Sequence, residues 1–97
     1  MASDLQELKN RLEAQRHILR ERFKVKRIGI FGSFSRGEQG AQSDIDVVVE
    51  FSEPIGWEIA DLKEFLEELF GKEVDLVTPE ALRREFREAV LKEAVFV

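Results

Sequence analysis

Asp44 and Asp46 stand two positions apart in the run Asp44-Ile45-Asp46-Val47-Val48-Val49-Glu50-Phe51. The β-branched residues predict a strand, and its period of two sets Asp44, Asp46 and Val48 on one face with Ile45, Val47 and Val49 on the other. Carboxylates about 7 Å apart on one face raise each other's pKa and cost stability unless something neutralises them. A divalent cation does so. Hard oxygen ligands favour Mg²⁺ or Mn²⁺, and Mg²⁺ commonly takes one or two carboxylates together with substrate phosphates. A second run of the same kind, Glu73-Val74-Asp75-Leu76-Val77, offers Asp75. If the two runs pair, Asp75 completes a three-carboxylate cluster able to hold two metals on either side of a phosphorus. The competing reading makes Asp44 and Asp46 ordinary turn residues at an exposed strand end, and on these residues alone the two readings stand level.

The segment ahead of them adds a second kind of group. Gly32 permits a backbone conformation that brings amide N–H groups close to an oxyanion, and Ser33 opens the following turn with a hydroxyl. Arg36, one helical turn later, can add a fixed positive charge against a triphosphate. Together they outline a phosphate cradle. The plain alternative is a glycine-rich connection with an incidental arginine.

These groups need elements to position them. Ser3 followed by Gln6 resembles a capping box, and Leu5, Leu8, Leu12, Leu19 and Phe23 then recur near helical spacing, predicting one helix over 4–23. Val25, Ile28, Ile30 and Phe31 predict a short buried strand ending at Gly32. Residues 32–43 predict a loop with at most one helical turn, near 33–36. After Pro54 and Gly56, Ile59, Leu62, Phe65, Leu66 and Leu69 line one side of a helix over 57–70, stopped by Gly71. Trp57 is expected to anchor that helix to the core. Thr78-Pro79 predicts an N-cap and first position for a last helix reaching about Lys92, with 94–97 an edge strand or tail. The order describes an α/β (α+β) sandwich on a small mixed sheet. The strands at 44–51 and 73–77, joined through a helix, should be parallel, and those at 25–31 and 44–51 antiparallel.

Composition bounds what this frame can be. Ninety-seven residues make a single domain, 1–97, with 1–24 an N-terminal helix and 25–97 the core. Hydrophobic residues at 43% and charged residues at 36% exclude a disordered or low-complexity chain. The lack of cysteine excludes a disulfide scaffold, a thiol nucleophile and a Cys-ligated metal site, and it fits a reducing, cytoplasmic compartment. No apolar run approaches the roughly 20 residues of a membrane span, so neither insertion nor secretion is expected. The net charge of -5 is segregated: +5 over residues 1–37, -11 over 38–80 and +1 over 81–97. The basic stretch from Arg16 to Arg27 reads as a solvated face or a dock for an acidic partner, and His17 as a plain surface residue. An acidic pI disfavours direct nucleic-acid binding.

Gly32-Ser33, ten intervening residues and Asp44-Ile45-Asp46 resemble the signature of the DNA polymerase beta-like nucleotidyltransferase superfamily. Gly32-Ser33-Phe34-Ser35-Arg36-Gly37 resembles that of its minimal nucleotidyltransferase branch, as do 74–79 and 91–97. The resemblance implies the polymerase beta-like core, with Asp44, Asp46 and Asp75 holding two Mg²⁺ and Gly32 and Ser33 gripping the triphosphate of ATP. Arg36 matches the pattern beside them. It further implies transfer of AMP to a hydroxyl, and pairing with a HEPN-domain toxin whose tyrosine is the acceptor. Two alternatives stay open: a module that neutralises its partner by contact alone, and a transferase acting on a small-molecule hydroxyl.

Overall fold

The computed structural model describes residues 4–97, and the structural statements below concern these. Val25–Phe31 (β1), Ile45–Phe51 (β2), Val74–Val77 (β3) and Val95–Phe96 (β4) form a mixed sheet in the order β3-β2-β1-β4. β1 runs antiparallel to β2 and β4, whereas β2 and β3 are parallel, as the helical crossover between them requires. In that register Ile45 faces Val74, Asp46 faces Asp75 and Val48 faces Val77.

Alternation along β2 separates two environments. Ile45, Val47 and Val49 join Ile28 and Ile30 of β1 in the core, under Leu5–Ala14 (α1), Arg16–Phe23 (α2) and Glu58–Phe70 (α4). Those helices contribute Leu8, Leu12, Leu19, Phe23, Leu62, Leu66 and Phe70. Arg11 donates to the Leu69 carbonyl at 2.8 Å, tying α1 to the end of α4. The opposite face carries Asp46, Val48 and Glu50. There Glu50 pairs with Arg27, whose guanidinium stacks 4.0 Å above the Phe96 ring, and that ring lies over the bare backbone of Gly29.

Two sequence expectations are corrected here, both on where a helix begins or ends. The N-terminal helix is two helices, because at Gln15 the N–H bonds Leu12 O, three residues back, at 3.1 Å. Between Leu12 and Leu19 every residue is exposed except the half-buried Gln15, so no apolar side chain there holds a continuous rod against the core. The predicted capping serine, Ser3, lies outside the described residues; Asp4 caps α1 by accepting the Glu7 N–H at 2.9 Å. The last helix likewise starts late. Pro79–Ala81 is a single 3-10 turn, Leu82 and Arg83 are extended, and the helix proper is Arg84–Glu93 (α5). Arg87 reaches back to the carbonyls of Pro79 and Leu82, at 2.7 and 3.2 Å, and stabilises the break.

Candidate active site

Gly32 follows the last residue of β1 and adopts φ 75°, ψ -151°, a region essentially restricted to glycine. Its restriction is also steric, since a Cβ there would strike Asp46 Oδ2. The backbone of the Gly32-Ser33 loop therefore runs directly against the carboxylate of β2, across the antiparallel pair Phe31 and Asp46. Beyond it, Ser33–Arg36 forms one helical turn (α3), as expected. The Gly32 carbonyl accepts from the Ser35 hydroxyl at 2.8 Å and from the Ser35 and Arg36 N–H groups at 3.1 and 3.3 Å. Phe34, 1% exposed, inserts into the core and fixes the turn from below.

On the sheet, Asp46 and Asp75 are lateral neighbours in parallel strands, so both project to the face opposite the core. Asp44 precedes β2 and is exposed, which departs from the strand position expected for it. The Asp46 carboxyl titrates above the ordinary carboxylate value. Partial burial is the main cause, the charges of Asp75, Asp44 and Glu93 add to it, and Arg36 alone opposes. The three aspartates thus share one electrostatic field. Among the described residues, however, no three His, Cys, Asp or Glu side chains are gathered tightly enough to enclose an ion. This donor set fits a hard divalent cation whose remaining ligands come from phosphate and water, which is how Mg²⁺ is usually held.

Glu93, at the end of α5, was not singled out by the sequence. One carboxylate oxygen accepts the Gly32 N–H at 2.9 Å, and the other accepts from Arg36 Nη1. These bonds hold its carboxyl below the ordinary value, the Gly32 N–H contributing most and Arg36 next. Arg36 also donates from Nε to Glu38 at 2.9 Å, so its guanidinium is engaged by two carboxylates. Nothing local marks Glu93, which lies 61 residues from Gly32. The resemblance of the 91–97 segment was the one available pointer. The Ser33 hydroxyl has no partner among the described residues. Trp57, expected to anchor α4, is instead 90% exposed, beyond the far end of β2 from Asp46; Leu62, Leu66 and Phe70 hold α4 to the core without it. His17 is exposed, as expected.

Comparison with known proteins agrees with this geometry. The nucleotidyltransferase domain family matches residues 12–97. The chain is similar to the protein adenylyltransferase MntA of Thermococcus cleftensis, 44% identical over 94 residues that cover 96% of this chain and 95% of the relative. Among solved structures, one described as a minimal nucleotidyltransferase is 40% identical with a TM-score of 0.82, covering 96% of this chain and 95% of that one. A toxin-antitoxin complex with AMP-PNP is 26% identical with a TM-score of 0.73, covering 91% and 70%. No helix among the described residues is long and apolar enough to cross a membrane.

Proposed function

The chain belongs to the nucleotidyltransferase domain family, and on that premise we propose that it transfers AMP from ATP to a hydroxyl of a partner protein, as the antitoxin that adenylylates a HEPN ribonuclease toxin. The observation that carries this reading is the Gly32 backbone pressed against Asp46, with Asp75 beside it. A phosphate-binding loop and an acidic pair then share one sheet end.

In this reading Asp44, Asp46 and Asp75 would hold two Mg²⁺, and the Gly32-Ser33 loop, with a Ser33 hydroxyl that has no partner among the described residues, would receive the triphosphate. Bound there, Mg²⁺ supplies charge stabilisation to the phosphoryl oxygens. The acceptor oxygen forms its bond to the α-phosphorus as the bond between that phosphorus and the α–β bridging oxygen breaks. Pyrophosphate leaves, and the hydroxyl proton passes to a carboxylate of the same face. The chain contains no tyrosine, so adenylate on a tyrosine has to sit on another molecule. The partner also covers the open carboxylate face and keeps water from the nucleotide. A hetero-oligomer in a reducing, ATP-containing cytoplasm follows.

The test combines the purified chain, Mg²⁺, each nucleoside triphosphate in turn and the protein encoded beside it, read by intact mass. One or more adenylate units on the partner, absent with Asp44→Asn, support transfer. Neutralisation of the partner by Asp44→Asn without any mass change would establish contact-only inhibition instead.

A further inference from the structure

Whereas Asp46 only packs against the Gly32-Ser33 loop, Glu93 reaches it from the end of α5 and hydrogen-bonds it. Its two oxygens do different things: one takes the Gly32 N–H, the other the Arg36 guanidinium. The Gly32 peptide is in a conformation that glycine tolerates but does not select, so something must hold it there. On one side the Asp46 carboxylate blocks it; on the other the end of α5 holds it through Glu93. The side chain is only partly exposed, and β4 begins two residues later and pairs with β1, so the carboxylate sits where α5 joins the sheet. Arg36, meanwhile, is paired with Glu38 and Glu93, which leaves its charge largely answered inside the protein.

We propose that Glu93 is a positioning residue for the nucleotide: it clamps the Gly32 peptide and Arg36 together, and Arg36 acts on the triphosphate loop through Glu93 rather than as a direct phosphate ligand. This rests on the adenylyltransferase reading of the same site. The clamp predicts a particular pattern of failure. Loosening the loop weakens the hold on nucleotide in ground and transition states alike, so KM rises while kcat changes little. Two residues acting as one clamp also give non-additive effects when both are removed.

The experiment is a double-mutant cycle over Glu93→Ala and Arg36→Ala, with Glu93→Gln as the conservative variant, in the full chain with its partner and ATP-Mg²⁺. Expected are a rise in KM for ATP of about tenfold in each single alanine variant, kcat within about threefold of wild type, and a double variant no worse than either single. Glu93→Gln, which keeps an acceptor for the Gly32 N–H, should recover part of the loss. Amide exchange at Gly32, followed by NMR in the chain alone without nucleotide, should accelerate in Glu93→Ala and less in Glu93→Gln. Independent, multiplying effects of the two alanine variants would overturn the proposal, because Arg36 would then contact phosphate directly. Tighter ATP binding by Glu93→Gln would overturn it too, since the carboxylate would then be an anion occupying the place of the triphosphate. Unchanged Gly32 exchange in Glu93→Ala would equally sink it. Accelerated exchange in a protein whose wild type transfers no nucleotide would sustain the clamp and count against the adenylyltransferase reading alone.

Discussion

The two faces of β2 are built from one strand and obey opposite rules. Ile45, Val47 and Val49 point into a closed apolar layer shared by three helices, where each side chain is held by many small contacts. Asp46 points the other way, into a neighbourhood that raises its own proton affinity, beside a like charge at the same level of the sheet. The first face lowers the free energy of the fold; the Asp46 position on the second raises it and is tolerated because the first is strong. Stability and chemistry are therefore separable in this protein, by changes one residue apart.

The largest break should come from the apolar face. Leu66→Ala, at a fully buried position of α4, should cost about 2–5 kcal/mol of unfolding free energy, measurable by urea denaturation, and should lower activity only in proportion to the unfolded fraction. A change at the seam between the faces comes next. Gly32→Ala introduces a side chain into a glycine-only conformation against Asp46, which should cost about 1–3 kcal/mol and abolish transfer together.

On the carboxylate face the sign reverses. Asp46→Asn should abolish transfer yet raise the stability of the metal-free protein by about 0.2–1 kcal/mol, the usual relief when like charges opposite one another in a sheet are removed. Asp46 binds its proton more tightly folded than unfolded. Wild-type stability from this group therefore falls as pH rises from the ordinary carboxyl value of 3.8 through the raised folded one, and the deficit persists at neutral pH. Thermal melts should show Asp46→Asn above wild type at neutral pH and converging with it below that ordinary value. Glu93 gives the opposite slope. Its lowered carboxyl contributes stability above its ordinary value of 4.5, lost as pH falls through the lower folded one, so Glu93→Gln should melt below wild type at neutral pH and converge in acid.

The smallest effect belongs to Trp57. At 90% exposed, Trp57→Ala should change stability by no more than about 0.5 kcal/mol, where a core anchor of that size would have cost several times as much.

Periodicity along the chain was sufficient for everything that depends on neighbours a few residues apart. The alternation of 45–51 separates the two faces of β2, the glycine at 32 marks the turn that follows β1, and the stripe Leu62, Leu66 shows which side of α4 is covered. The parallel relation of β2 and β3 was legible as well, because a helical crossover permits little else. Periodicity did not show that α1 breaks at Gln15, where no apolar side chain between Leu12 and Leu19 is held by the core, nor that α5 waits until Arg84, where the break rests on side-chain to backbone bonds from Arg87 to the Pro79 and Leu82 carbonyls that no apolar pattern records. Nor could it expose Trp57 or join Glu93 to Gly32 and Arg36, 61 and 57 residues away. A sequence carries which face of its own element a residue occupies, because backbone geometry fixes that period. Which distant group it then meets is settled only when the sheet closes, when β4 pairs with β1 and brings the end of α5 onto the loop that β1 had ended in.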